Sequence, residues 1–454
     1  MLNRYKDQHV VVLGLAKSGA AVAKLLHRFG AHVVVNDKKP REEAGGADEL
    51  EALGITVITG YHPDELIHPG VSLVVKNPGI PYEAPPVAKA LELGIPVITE
   101  VELAYQISRA PLIGITGSNG KTTTTTLIGL ILQEARIDAQ VGGNIGNVLC
   151  GIAETADSNE WIVAELSSFQ LMGTRTFRPR IAVLLNVYPA HLDYHHTMDE
   201  YLSAKLKLFA NQTAEDYAIL PYDQPEVLAK CGGLQAKRYY FSKRQAVSPG
   251  VYVENGCIVY SGEMGEREEI MSVSDLSVPH LDNALAAILA TKLAGADTRS
   301  MVKVLSTFPG VEHRMEFVAT VNGVKYYNDS KATNPEAASR ALSTFSEPVV
   351  WIAGGLDRGV DFRELVPVMA KHVKAIVAYG QTANILLTRA EEAGISRRIL
   401  VDTVEKAVQA ASAAAEPGDV VLLSPACASW DMFPSFEARG SMFKDGVHRL
   451  RTSL

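Results

Sequence analysis

The stretch 113–129, "IGITGSNGKTTTTTLIG", decides how the middle of this chain folds. An apolar run ends in a glycine-rich turn, and a helical pattern begins near Lys121. Such a turn at the N-terminus of a helix binds phosphate, because backbone N–H groups and the helix dipole point at the anion. Lys121 adds a positive charge, and the hydroxyl of Thr122 can bind Mg²⁺. The strict phosphate-loop pattern requires glycine at position 115, where this chain has Ile115.

The run of five threonines needs its own explanation, since threonine is a poor helix former. Metal binding accounts for Thr122, and phosphate binding accounts for Thr123. We expect Thr124, Thr125 and Thr126 to pack in the first turn of the helix.

Short β-branched runs alternate with helical patterns along almost the whole chain, which is typical of parallel sheets covered by helices on both faces. The runs lie at 9–15, 31–37, 72–79, 111–117, 161–167, 181–187, 348–355, 374–380 and 419–426. The sequence therefore predicts an α/β protein. Three segments each open with a strand-turn-helix unit, so we predict domains at 1–108, 109–309 and 310–454.

Composition excludes several classes of protein. The 454 residues carry 43 Lys+Arg against 51 Asp+Glu, a formal charge of -8, without a long basic run, so nucleic acid is not an expected partner. No leader peptide and no run of about 18 apolar residues is present, which predicts a cytoplasmic protein without membrane insertion. The four cysteines lack disulfide or zinc spacing, and we expect reduced thiols.

The middle segment contains residue types that bind Mg²⁺. The apolar run "WIVAE" delivers Glu165 at its end, beside the expected phosphate loop. The stretch "NVYPAHLDYH" brings His191, His195 and His196, but their spacing does not match a zinc site. We expect His195 and His196 to be loop residues.

The first segment supports a rival hypothesis. Gly14, Ala16 and Gly19 form a degenerate dinucleotide fingerprint, and Asp37 follows at the end of the next strand. A nicotinamide-dependent oxidoreductase would use this pattern. However, alanine at position 16 hinders close approach of a pyrophosphate to the backbone, and no hydride-transfer site follows.

Longer motifs resemble the Mur ligases, the ATP-dependent amide-forming enzymes of peptidoglycan synthesis. The motifs are "TGSNGKT" at 116–122, "ELSSFQ" at 165–170, the pattern N-x-x-x-x-H-L-D at 186–193 and "YYNDSKATNPEA" at 326–337. The resemblance covers essentially the whole chain. It implies a Rossmann-like N-terminal domain, a central P-loop ATPase-like domain and a Rossmann-like C-terminal domain.

The stretch "LLSPACASWDMFPSFEARG" at 422–440 is similar to the signature of the D-glutamate-adding branch. The motifs "GLAKSG" at 14–19, "NDKKP" at 36–40 and "KNPGIP" at 76–81 resemble the same branch, particularly its Gram-positive versions. The resemblance implies UDP-N-acetylmuramoyl-L-alanine and D-glutamate as substrates, ATP and two Mg²⁺ as cofactors, an acyl-phosphate intermediate and a monomer. It also implies that Lys205, rather than Lys207, is a carbamylated lysine that binds metal.

The resemblance assigns the remaining roles residue by residue. Catalytic residues would be Lys121, His191 and Lys205. ATP would contact Gly117, Ser118, Asn119, Gly120, Lys121, Thr122, Thr123, Asn283, Arg314 and Asp329. Metal ligands would be Thr122, Glu165, His191 and carbamylated Lys205. The UDP-substrate would contact Leu15, Ala16, Asp37, Asn77, Gly79 and Asn144. D-glutamate would contact Lys331, Thr333, Arg358, Ser429 and Phe436.

One position departs from the family pattern, and other classes of protein remain open. His280 replaces an asparagine expected to contact adenine. A sister ligase that adds diaminopimelate or lysine, or a folylpolyglutamate synthase, would share the central motifs but not the 422–440 signature. A non-enzymatic ATP-binding switch would hydrolyse ATP without an amino acid.

Overall fold

The structure, a computed structural model, describes residues 4–278 and 280–452 and contains three β-sheets. The chain forms two compact units, Met1–Phe308 and Pro309–Leu454. The first unit contains two sheets and the second unit contains one. The predicted α/β class is confirmed. The domain boundaries near 108 and 310 stay predictions.

The first sheet has five parallel strands in the order β3-β2-β1-β4-β5. Its strands are β1 (His9–Leu13), β2 (His32–Asp37), β3 (Thr56–Thr59), β4 (Leu73–Lys76) and β5 (Val97–Ile98). Its helices are α1 (Lys17–Arg28), α2 (Ala47–Ala52), α3 (Pro85–Glu92) and α4 (Glu100–Ile107). The chain order reverses between β1 and β4, and ligands of such sheets bind at the carboxyl ends of the strands at that point.

The second sheet has nine strands in the order β14-β13-β12-β11-β10-β9-β6-β8-β7. The strands are β6 (Leu112–Thr116), β7 (Ala139–Gly143), β8 (Trp161–Glu165), β9 (Ile181–Leu184), β10 (Tyr217–Pro221), β11 (Lys237–Ser242), β12 (Gly250–Glu254), β13 (Cys257–Ser261) and β14 (Arg267–Ser272). The pairs β12–β13 and β13–β14 are antiparallel, and the other pairs are parallel. The antiparallel edge was not predicted.

Among the described residues, eight α-helices accompany this sheet. They are α5 (Lys121–Glu134), α6 (Leu149–Thr155), α7 (Ser168–Met172), α8 (Leu192–His195), α9 (Met198–Leu206), α10 (Pro225–Lys230), α11 (Leu281–Leu293) and α12 (Thr298–Thr307). The stretches 200–209 and 280–295, whose patterns predict amphipathic helices, form α9 and α11, but α11 is buried on all sides from Asn283 to Thr291 and is not amphipathic.

The third sheet has six strands in the order β15-β16-β20-β17-β18-β19, and only the β15–β16 pair is antiparallel. The strands are β15 (Glu316–Val321), β16 (Val324–Asn328), β17 (Val349–Gly354), β18 (Val373–Tyr379), β19 (Arg397–Leu400) and β20 (Val420–Leu423). The helices are α13 (Pro335–Leu342), α14 (Val366–His372), α15 (Ala383–Glu392), α16 (Val404–Ala414) and α17 (Phe436–Thr452).

Local sequence explains how several of these helices begin. The side chain of Asn334 accepts a hydrogen bond from the Ala337 N–H, and Pro335 occupies the first helical position of α13, as its sequence predicts. Ser167 and Gln170 form a capping box at α7, so the segment after Glu165 turns into a helix at once. The carboxylate at the end of β8 is thereby held at the sheet edge.

The two sheets of the first unit are joined by a buried carboxylate on α4. Glu102 is fully buried and accepts hydrogen bonds from the backbone N–H groups of Arg175, Thr176 and Phe177. An ionised carboxylate that accepts several N–H bonds is stabilised in a protein interior. This contact fixes α4, the last helix of the first sheet, to the second sheet.

Candidate active site

The phosphate loop lies between β6 and α5, as predicted. The Nζ atom of Lys121 donates hydrogen bonds to the carbonyl oxygens of Gly117 (2.8 Å) and Ser118 (3.0 Å). Gly120 has φ +84°, and a Cβ atom there would come within 2.1 Å of Oδ1 of Asn283. No side chain caps α5, so its first N–H groups and its dipole can act on an anion.

The end of β9 holds this loop in shape. The side chain of Asn186 accepts from the Asn119 N–H (2.9 Å) and donates to the Asn119 carbonyl (3.1 Å). The hydroxyl of Ser118 donates to the carbonyl of Tyr188 (3.0 Å) and lies 3.2 Å from the hydroxyl of Tyr201. The sequence places Asn186 in the pattern N-x-x-x-x-H-L-D but assigns it no role, because its contact with Asn119 is visible only in the structure.

Within the threonine run, Thr122, Thr124 and Thr125 are buried, and Thr123 and Thr126 are half-buried. Thr124 and Thr125 are fully buried, and in the described part of the chain their hydroxyls have no hydrogen-bond partner. They pack inside the first turns of α5. Thr122 is 8% exposed, and Thr123 is half-buried. Their roles toward metal and phosphate stay predictions.

Glu165 lies beside the loop, because β8 pairs with β6 so that Glu165 faces Ile115 in register. Its Oε1 atom accepts a hydrogen bond from Nδ2 of Asn144 (3.0 Å), whose backbone N–H donates to the Glu165 carbonyl (2.9 Å). Its Oε2 atom is buried and lacks a hydrogen-bond partner among the described residues. Burying a carboxylate oxygen without a partner is costly, and a cation would remove that cost.

Asn144 therefore lies with the predicted metal ligand at the end of β8. Its predicted contact with the UDP-substrate is not tested by this geometry. Asn144 is an exposed residue, although its Nδ2 is bonded to Glu165.

Lys205 is the lysine of α9 that points at the phosphate loop. It is 1% exposed, its Nζ donates to the Gly117 carbonyl (3.0 Å), and the same atom lies 4.4 Å from the ring centroid of Tyr201. Burial, followed by the nearby charge of Lys121, holds the pKa of Lys205 well below its usual range. A lysine with a lowered pKa supplies the neutral amine that reacts with CO₂.

Lys207 is placed differently. It is exposed, and its Nζ donates to the carbonyl of Met172 (2.6 Å). The choice of Lys205 over Lys207 agrees with this geometry, while carbamylation itself stays a prediction.

The two nearby histidines have different environments. His191 precedes α8, is exposed, has φ +56°, and packs edge-on against Phe169. His195 is 2% exposed, and its Nε2 lies 2.8 Å from Oγ of Ser168. The expectation that His195 is a loop residue is wrong, because it closes α8 and packs on Phe169. His191 keeps its ring accessible to a ligand.

The predicted UDP-substrate residues meet at the carboxyl ends of β1, β2 and β4. The N–H of Leu15 donates to Oδ2 of Asp37 (2.7 Å), and Oδ1 of Asn77 accepts from the Gly79 N–H (3.2 Å). A Cβ atom on Gly19 would lie 2.0 Å from the carbonyl oxygen of Gly14, so only glycine permits this turn.

Ala16 directly precedes α1 and is exposed there. The chain thus brings all five first-sheet residues of the prediction to the carboxyl ends of three adjacent strands, β2, β1 and β4.

The C-terminal unit contains a buried acidic residue where ATP contact is predicted. Asp329 is 7% exposed, and its carboxylate accepts from the Met315 N–H (3.2 Å) and from the Ser424 hydroxyl (2.9 Å). Burial raises the pKa of Asp329 to about 6. Arg314 is half-buried next to Met315.

Cations and aromatic rings occur together in the same unit where amino-acid contacts are predicted. The Nζ atom of Lys331 lies 4.0 Å from the ring centroid of Phe436, and the guanidinium carbon of Arg358 lies 5.0 Å from that of Trp430. Arg358 and Trp430 are exposed, whereas Ser429 is 2% exposed. Trp430 was not predicted, although it directly follows Ser429.

Thr333 is half-buried, two residues before the start of α13. The predicted contacts of D-glutamate with Lys331, Thr333, Arg358, Ser429 and Phe436 are not tested by this geometry.

No helix in the described part of the chain is long and apolar enough to span a membrane.

A loop at a helix N-terminus, with a lysine over it and a buried carboxylate and a buried lysine beside it, is the arrangement expected of a nucleotide-dependent α/β enzyme. Family models agree. The Mur ligase middle domain matches residues 115–291, the glutamate ligase domain of Mur ligases matches 313–427, and the MurD-like N-terminal domain of Mur ligases matches 8–99.

Individual proteins are similar over nearly their full lengths. UDP-N-acetylmuramoylalanine--D-glutamate ligase of Geobacillus sp. (strain WCH70) is 52% identical over 98% of this chain and 99% of its own length. The same-named ligase of Latilactobacillus sakei is 49% identical, with 98% of both chains covered. The solved UDP-N-acetylmuramate-alanine ligase of Thermotoga maritima is 18% identical with a TM-score of 0.56, over 98% of this chain and 100% of its own. The chain therefore belongs to the Mur ligase family of ATP-dependent, amide-forming ligases.

Proposed function

We propose that this enzyme joins D-glutamate to UDP-N-acetylmuramoyl-L-alanine in the synthesis of peptidoglycan precursors. The observation that carries the proposal is the 52% identity, over 98% of the chain, to a relative named for that reaction. The signature at 422–440 supports the same branch. We place the reaction in the cytoplasm, where ATP and nucleotide-linked sugars are made, and we propose that a monomer suffices.

The reaction has two bond-forming steps. A carboxylate oxygen of the L-alanyl group attacks the γ-phosphorus of ATP, and ADP leaves with the electron pair of the broken P–O bond. The amine of D-glutamate then attacks the acyl carbon, phosphate leaves, and the nitrogen loses a proton to complete the amide. Lys121 and the N-terminus of α5 would neutralise the charge that grows on the transferred group, which is the main catalytic device in phosphoryl transfer.

A divalent cation fits the residues beside the phosphate loop. Two observations support this cation. The buried Oε2 atom of Glu165 lacks a hydrogen-bond partner among the described residues, and burial lowers the pKa of Lys205, which favours its neutral amine. Thr122, Glu165, His191 and carbamylated Lys205 would hold Mg²⁺, which supplies charge neutralisation when bound. The carbamate forms when the neutral amine attacks CO₂ and loses one proton.

The C-terminal unit would recognise the amino acid and part of ATP. Arg358 offers a planar guanidinium, which suits a carboxylate. Its exposure and its position on the Trp430 ring leave its N–H donors accessible. Lys331, Thr333, Ser429 and Phe436 would complete the glutamate contacts. Arg314 and Asp329 would contact ATP, as would Asn283 beside the phosphate loop.

An isotope experiment tests the acyl-phosphate route. UDP-N-acetylmuramoyl-L-alanine labelled with ¹⁸O in its alanyl carboxylate is turned over with ATP, Mg²⁺ and D-glutamate, and the phosphate is analysed by mass spectrometry. We expect one ¹⁸O atom in each phosphate, because a carboxylate oxygen becomes the bridging oxygen and leaves with phosphorus. Formation of the amide with unlabelled phosphate would exclude the acyl-phosphate route. Hydrolysis of ATP without formation of the amide would exclude the proposed ligase activity.

A further inference from the structure

The loop that follows β4 is held by a buried lysine that no predicted role uses. Lys76 ends β4 and is 1% exposed. Its Nζ donates to the carbonyl oxygens of Pro78 (3.2 Å) and Ile80 (2.8 Å), and it lies 4.5 Å from the ring centroid of Tyr82. Among the described residues no carboxylate forms an ion pair with it. A buried amine is costly, so its hydrogen bonds to this loop are a specific feature of the fold.

Burial also changes the titration of this amine. It lowers the pKa of Lys76 to about 8, and the charge of Glu83 acts in the opposite direction. The amine is therefore still largely protonated near neutral pH, where its hydrogen bonds to carbonyl oxygens are strengthened by charge.

A tyrosine on α8, a helix beside the second sheet, reaches the same two carbonyl oxygens. The hydroxyl of Tyr194 lies 3.5 Å from the Pro78 oxygen and 3.3 Å from the Ile80 oxygen. Tyr194 belongs to α8, which begins directly after His191. Its ring packs edge-on against Phe169, with 4.6 Å between centroids. Phe169 lies in α7, four residues after Glu165.

The loop between these two side chains carries Asn77 and Gly79, which are predicted contacts of the UDP-substrate. The Asn77 N–H donates to the Leu13 carbonyl (2.8 Å), and the Asn77 side chain accepts from Gly79, so the loop has one defined shape. One end of a long substrate would therefore bind at a loop that contacts α8, the helix that begins directly after the predicted metal ligand His191.

We propose that Lys76 and Tyr194 are positioning residues that hold the loop 77–80 against α8, so that the alanyl carboxylate of a substrate bound there is aligned with the phosphate loop. Lys76 shapes the loop, and Tyr194 sets its distance from the metal-binding segment. This inference rests on the proposed function. Alignment matters because a displacement of about 1 Å at the reacting atoms costs about 10²-fold in rate.

The test uses Lys76→Met, Tyr194→Phe and the double variant. Methionine keeps an unbranched apolar chain, and phenylalanine keeps the ring on Phe169. We expect Lys76→Met to weaken the binding of UDP about tenfold, because charged hydrogen bonds to the loop are lost. Calorimetry without turnover measures this affinity. We expect Tyr194→Phe to leave UDP binding within about threefold but to lower kcat about tenfold, with KM for ATP unchanged.

The energetic coupling between Lys76 and Tyr194, measured with the double variant, distinguishes residues that position the loop from residues that only stabilise the fold. Both side chains act on the same two carbonyl oxygens, so the double variant should lose clearly less kcat/KM for the UDP-substrate than the product of the two single losses. Controls are Lys89→Met, which removes an exposed lysine bonded to the Asp64 carbonyl, and Tyr222→Phe, which removes an exposed hydroxyl. Both controls should behave as the native protein.

Two results would overturn the inference: single variants with native UDP affinity and native kcat, or single losses that multiply in the double variant. If Lys76→Met fails to fold, Tyr194→Phe alone decides, because its packing is retained. A native protein that binds UDP but shows no D-glutamate-dependent turnover would refute the proposed function, while the UDP measurement on Lys76→Met would still decide the role of that residue.

Discussion

Replacing Lys121 by methionine is expected to lower kcat by roughly 10³-fold, about 4 kcal/mol of transition-state stabilisation. The amine of Lys121 lies over the phosphate loop, bonded to the carbonyl oxygens of Gly117 and Ser118. Methionine keeps an unbranched side chain that is one atom shorter and removes the charge, so α5 should still form. The measurement is steady-state kcat for phosphate release, with circular dichroism to confirm the fold.

The matched control for this variant is Lys303→Met. Lys303 is 64% exposed and pairs with Glu134 at the other end of α5 (2.7 Å). A surface ion pair of this kind contributes about 0–1 kcal/mol to stability, and its loss should leave kcat unchanged. A Lys121→Met enzyme with kcat within threefold of the native value would contradict the assignment of the phosphate loop.

The second large effect is expected for Lys205→Ala, which should lower kcat about 10²–10³-fold, because a carboxylate ligand of the proposed cation is lost. Acetate or formate should restore part of the activity by supplying a carboxylate to the space that the side chain leaves. The measurement is kcat against acetate concentration, with chloride at equal ionic strength as the control salt.

Lys207→Ala is the matched control directly after α9, since Lys207 is exposed and its Nζ donates to the Met172 carbonyl rather than to the phosphate loop. We expect near-native activity that acetate does not change. A ¹³C-bicarbonate NMR experiment on the native protein should give a carbamate signal that is missing in Lys205→Ala. Full activity of Lys205→Ala, or loss of activity without any rescue and without a carbamate signal, would count against the carbamate.

The fold class and the phosphate loop could be predicted because they depend on short-range patterns. The runs that became β1, β6 and β8 are apolar and β-branched, and each leads into a helix. The antiparallel strands β12–β14 were missed, because hairpins of short, half-buried strands lack the strand-helix alternation on which the prediction relied.

The remainder of the site depends on contacts between residues far apart in sequence. Asn186 forms a hydrogen bond with Asn119, which lies 67 residues earlier in the sequence, and Tyr194 contacts Ile80, which lies 114 residues earlier. The periodicity of apolar residues within one helix or strand cannot indicate such pairs, because the order of the strands in the sheet decides which distant residues meet. His195 illustrates the same limit, because only the packing of α8 on Phe169 buries it.

The most direct test of the central claim is phosphate release by the native protein with ATP, Mg²⁺ and UDP-N-acetylmuramoyl-L-alanine. Parallel reactions contain D-glutamate, L-glutamate, L-lysine, meso-diaminopimelate or no amino acid. The account predicts release that depends on D-glutamate alone, with one amide formed per phosphate. Release that is the same with every amino acid and with none would contradict the ligase and favour an ATP-hydrolysing switch.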